Sequence, residues 1–129
     1  MKNFGCSMPM NINGKELIEE YIKRMELQYQ EQKELQELYM NDRLADEYYD
    51  YNKSLRFTRT WEIIIGLTDY ADRNLILLFN ACDCKHKDTL EALSGAGMVQ
   101  YKNEATLRVM ISHARKRIKD KYESEYGRS

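Results

Sequence analysis

The chain has 129 residues, 43% hydrophobic and 32% charged, with 20 Lys and Arg against 21 Asp and Glu. That length suits one modest domain, or a small domain carrying a helical arm. One proline, six glycines and two valines (Val99 and Val109) leave too few turn formers for a sandwich or barrel. A net charge of −1 excludes a protein that is basic throughout. Leu, Glu, Lys, Arg and Gln are abundant, which points to an all-α protein.

Residues 1–12 (MKNFGCSMPMNI) carry no period and contain the only proline, so they read as a flexible tail. No apolar run there is long enough for a signal peptide. The longest apolar run, Leu75-Ile76-Leu77-Leu78-Phe79, falls far short of the roughly 20 residues that span a bilayer. With three cysteines, an odd number, a soluble cytoplasmic protein with free thiols and no membrane partner is expected.

A helical arm is expected over 13–53. Asn13 with Glu16 has the spacing of a capping box. Leu17, Ile18, Tyr21, Ile22 and Met25, then Leu35, Leu38 and Tyr39, then Leu44, Ala45 and Tyr48 recur every three to four residues. The stretch from Gln28 to Glu34 is nearly all polar. One long helix or two shorter ones would follow, with a sparse apolar stripe that either protrudes or finds a partner.

A compact helical domain is expected over 54–129. Leu55, Phe57, Trp61, Ile64, Ile65 and Leu67 suggest a buried helix near 54–67. Thr68-Asp69 can cap the next helix, with Asp72 in its first turn complementing the helix dipole. Its run Leu75–Phe79 is apolar nearly all round and belongs at the centre of the core. A short helix at 86–94 ends at Gly95, a natural C′ residue. Asn103 then caps a last helix to about Tyr122, with Leu107, Met110, Ile111, Ala114, Ile118 and Tyr122 on its apolar side.

Charge is uneven along the chain. Residues 1–60 carry nine basic and eleven acidic side chains, residues 61–100 three and six, and residues 101–129 eight and four. The last helix is therefore basic. Arg108, Ser112, Arg115, Lys116 and Lys119 fall away from its apolar side, with His113 and Arg117 at the flanks. Such a face is ordinarily just solvated. It also has the chemistry to neutralise phosphates, and arginine can grip a guanine edge with two hydrogen bonds. A short helix, a glycine-containing connector and a capped basic helix follow the order of a helix-turn-helix.

The wording of this half also resembles a family. Asp72-Arg73-Asn74-Leu75-Ile76-Leu77-Leu78-Phe79, then Thr89-Leu90-Glu91-Ala92-Leu93, then the string from Ala105 to Lys119 is similar to the fourth region of RNA polymerase sigma factors and of related phage-encoded regulators. Thr106, Leu107, Ile111, Ala114, Arg115, Lys116 and Ile118 fall in register with that region's last string. The resemblance covers about 70–119. Met110 stands where the family has arginine, and the connector from Gly95 to Asn103 is longer than the family's three- or four-residue turn. The resemblance implies a DNA-binding transcription regulator with double-stranded DNA, and RNA polymerase, as partners. It implies that Lys102, Asn103 and Thr106 meet phosphate at the helix start and that Arg108 and Ser112 read bases. His113, Arg115, Lys116 and Lys119 would contact the backbone.

The remaining signals are weaker. Cys82, Cys84 and His86 form a C-x-C-x-H string, but no second ligand pair accompanies it, so free thiols at a helix junction are expected and no metal. No catalytic grouping, dinucleotide fingerprint or P-loop is present, so no enzyme and no cofactor is expected. The alternative to DNA binding is a helical interaction or scaffold protein that self-associates or holds a protein partner through 14–51.

Overall fold

The computed structural model describes residues 14–45, 47–95 and 103–127. They form five helices: α1 (Gly14–Met40), α2 (Tyr51–Ile65), α3 (Tyr70–Ala81), α4 (His86–Gly95) and α5 (Glu104–Tyr126). There is no strand among the described residues, so the all-α class is the observed one. None of these helices is long and apolar enough to cross a membrane. The tail 1–12, the Asn13 cap and Lys102 lie outside the described residues.

α3 is the centre. Leu75, Ile76, Leu77, Leu78 and Phe79 are all buried, as a run that is apolar on every side must be. Each such side chain contributes roughly 1.5–3 kcal/mol by leaving water. Asp69 caps the helix by accepting from the Ala71 and Asp72 backbone N–H groups at 3.0 and 3.3 Å. Past its end, Asp83 and Cys84 both take positive φ, 55° and 60°. The Cys84 N–H reaches back to the Phe79 carbonyl at 2.9 Å, and the chain reverses into α4.

α1 ends earlier than its apolar period suggests. After Met40, Asp42 turns left-handed (φ 53°), a conformation that aspartate tolerates, and the Arg43 N–H closes on the Leu38 carbonyl at 2.8 Å. Leu44, Ala45 and Tyr48 therefore fall in a connection and not on a helix face. α2 begins at Tyr51, three residues before the expected start, because Asp50 accepts from the Lys53 N–H.

α1 finds its partner within the chain. It lies along α2 and α3 and touches α4. Ile18 is buried, and Leu17, Tyr21, Ile22, Met25 and Tyr29 pack against the core. Most of the polar middle faces solvent, and a polar seam on α2 takes up Gln32 and, one turn on, Gln36. Gln36 Nε2 donates to Ser54 Oγ at 3.0 Å and to Thr58 Oγ1 at 3.1 Å, and Ser54 Oγ donates to Gln32 Oε1 at 2.7 Å. Gln36, Ser54 and Thr58 are all buried. A buried amide with its hydrogen bonds made is compatible with a core position.

Glu62 joins three helices. Its carboxylate accepts from the Tyr29 hydroxyl of α1 at 2.5 Å and from the Tyr126 hydroxyl of α5 at 3.3 Å. Arg59 stacks over the Tyr126 ring at 4.6 Å. α5 consequently runs one turn beyond the expected Tyr122.

Candidate nucleic-acid interface

α5 starts where Asn103 Oδ1 accepts from the Thr106 N–H at 2.8 Å. Leu107, Ile111, Ala114 and Ile118 are buried, spaced four, three and four residues apart, and seat the helix on α2, α3 and α4. The same spacing shifted by one residue gives Arg108, Ser112, Arg115 and Lys119, all exposed. One residue is about 100° of helix rotation. These four side chains therefore form a single stripe about 16 Å long, on the flank of α5 a right angle from its buried side. Among the candidate residues, Lys116 lies on the side opposite the core.

The candidate residues do not stand equally free. Arg108 keeps 60% side-chain exposure with a long contact of 3.9 Å to Glu104 one turn earlier. Lys116 keeps 75% and lies 3.4 Å from Asp120. Exposed pairs of this kind contribute about 0–1 kcal/mol and are easily exchanged for another anion. Thr106, Ser112, His113 and Lys119 are exposed. Arg115 is exposed as a residue, yet its guanidinium sits 5.1 Å over the Phe79 ring and 3.9 Å from Cys84 Sγ. Its position is thus set by the end of α3. Asn103 spends its side-chain oxygen on the cap, leaving its amide N–H₂ as the group that can meet a phosphate.

Arg117, on the opposite flank, is not a surface charge in the same sense. Its Nε and Nη2 hold both oxygens of Asp72, a buried carboxylate at the start of α3. The sequence alone gives Asp72 only the role of complementing the dipole of α3. The two flanks of α5 are thus fixed at the two ends of α3, Arg117 at Asp72 and Arg115 over Phe79.

One residue escapes sequence reasoning on this face. Val109 is 52% exposed beside Arg108, an apolar group where a solvated helix would carry a polar one. Its exposure was readable from its step of two from Leu107, but an isolated valine carries no chemical signal of its own. The other motif, Cys82, Cys84 and His86, is divided. Cys82 is buried and burial pushes its thiol up to about 11, while Cys84 is exposed and His86 packs on Phe79. Among the described residues no three His, Cys, Asp or Glu side chains come together as a metal site.

Compared with protein-family models, curated proteins and solved structures, the chain finds no match.

Proposed function

We propose that this chain binds double-stranded DNA by laying the first half of α5 in the major groove, as a helix-turn-helix regulator of transcription does. One observation carries the reading. α5 is anchored by its apolar side and by the Arg117–Asp72 bridge, and from an exposed, capped start it turns Arg108, Val109, Ser112 and Lys116 to solvent. On this reading Arg108 exchanges Glu104 for the O6 and N7 of a guanine, and Val109 meets a thymine methyl. Ser112 is one turn on, within reach of a base or a phosphate. Lys116 and His113 supply backbone contacts, joined by the helix-start N–H groups that Asn103 leaves uncapped.

Gel shifts with duplex DNA at low and at physiological salt test this. Binding should be visible at low salt, weaken steeply with added salt, and vanish in the charge reversal Arg108→Glu, Lys116→Glu, Lys119→Glu. Absence of binding at low salt contradicts the reading.

A second reading has its own observation. Leu38, Tyr39, Met40 and Tyr48 are 40, 47, 67 and 88% exposed around the end of α1. An apolar and aromatic group of this kind suits a protein contact, within the segment 14–51. Under that reading α5 is a solvated face and duplex DNA is not bound at any salt.

A further inference from the structure

The stripe on α5 leads into an open groove between α5 and α2. The groove has a volume of about 640 Å³. Arg115 and Lys119 line it from α5, and Arg56 lines it from α2. No carboxylate among the described residues pairs with Arg56 or Lys119. The lining holds one carboxylate, Glu123, so its balance is positive. Thr60 adds a hydroxyl donor, and Ile118 and the half-buried Tyr122 ring give it an apolar floor.

From this lining we infer that the groove is a phosphate-binding site for the DNA backbone, with Arg56 as a contact from outside the basic helix. The inference rests on the proposed DNA binding and deepens it. Two cations from two helices, Arg56 and Lys119, around one space suit a phosphodiester, whose negative charge is spread over two free oxygens, while Arg115 lines the space with its guanidinium held over Phe79. The volume exceeds that of one phosphate, and the Ile118–Tyr122 floor can accept the apolar side of a flanking sugar. The place is right as well. Lys119 lies eleven residues, or about 16 Å, beyond Arg108 on the same stripe. With Arg108 at a base edge, the groove then falls at the wall of a major groove about 12 Å wide, where the backbone runs. Arg56 belongs to a segment whose net charge is negative, which is why counting charge along the chain could not single it out.

The test is the salt dependence of binding to one fluorescent duplex, measured by anisotropy from about 50 to 200 mM salt. Arg56→Gln and Lys119→Gln are each compared with Lys23→Gln, which removes the same charge from the exposed side of α1, and with Arg108→Ala. All four residues are exposed, and far-ultraviolet circular dichroism should confirm an unchanged helical fold. The expected result for Arg56→Gln and Lys119→Gln is a loss of about one from the slope of log affinity against log salt, uniform across DNA sequences. The affinity ratio between the two salt limits then shrinks about fourfold. Arg108→Ala should alter sequence preference. If Arg56→Gln matches Lys23→Gln while Arg108→Ala still changes preference, the groove assignment is wrong and the DNA reading stands. If the wild type does not bind duplex DNA, both fall.

Discussion

Arg117 holds the buried carboxylate of Asp72 with two hydrogen bonds, Nη2 to Oδ1 at 2.7 Å and Nε to Oδ2, across 45 residues of chain. The arginine side chain is half exposed and the aspartate is nearly enclosed, with 51 and 8% exposure. The two partners should therefore differ in what their removal does. Arg117→Ala leaves a buried carboxylate without its cation, and should cost about 2–4 kcal/mol. Asp72→Ala leaves an arginine that can turn to water, and should cost less, about 1–2 kcal/mol. Urea midpoints of the two variants decide this. Equal losses would contradict the asymmetry, and a negligible loss in Arg117→Ala would show that Asp72 does not depend on Arg117.

The seam between α1 and α2 predicts a similar asymmetry. Gln36→Ala removes the donor to both Ser54 and Thr58 and leaves their hydroxyls buried, a loss of about 1–3 kcal/mol. Replacing the buried set together, as Gln36→Leu with Ser54→Ala and Thr58→Val, removes those polar groups along with their needs, leaves only the half-exposed Gln32 to turn to water, and should be near neutral. Thermal melts of the single and triple variants check this. A triple variant as unstable as Gln36→Ala contradicts it.

The phenols gathered on Glu62 make the fold sensitive to alkali. The short hydrogen bond to Glu62 pushes Tyr29 up to about 12, from an ordinary 10.0. Burial first, and Glu62 next, raise Tyr126. A phenol that titrates higher when folded keeps its proton where the unfolded chain has lost it. Its stabilisation is complete below pH 10 and disappears as pH rises towards 12. Stability followed by urea midpoint should fall over that window, and Tyr29→Phe should make the fall shallower. An identical pH profile in the variant would rule out the coupling.

The two cysteines at the end of α3 should differ in reactivity. Cys82 is 3% exposed and its thiol is raised to about 11 by burial, whereas Cys84 is exposed. A short pulse of iodoacetamide followed by peptide mapping should label Cys84 and spare Cys82 until the protein is unfolded. Early labelling of Cys82 would mean that the α3–α4 junction opens readily.

The helices were largely legible because capping and periodicity are local. Asp69 and Asn103 cap where their sequence context says, and the Leu75–Phe79 run is central. The end of α1 was not legible, since the apolar period continues through Leu44 and Tyr48 while the chain turns at Asp42. On α5 the buried positions and the exposure of Arg108 followed from spacing alone. What spacing could not supply was every relation between distant segments. Gln36 looks like solvent-facing polarity until Ser54 and Thr58 are beside it. Arg117 counts as one more positive charge until Asp72 takes it. Arg56 belongs to an acidic segment until the packing of α2 on α5 puts it around the same groove as Lys119.

The most direct test of the account is guanine N7 protection. A duplex selected by the wild-type chain from a random pool would be probed with dimethyl sulfate, which reports on the major groove at N7. A short protected guanine-containing site is expected, with that protection lost in Arg108→Ala while weaker, sequence-independent binding persists. If no sequence is selected, or if bound DNA shows no protected N7, α5 does not read the major groove.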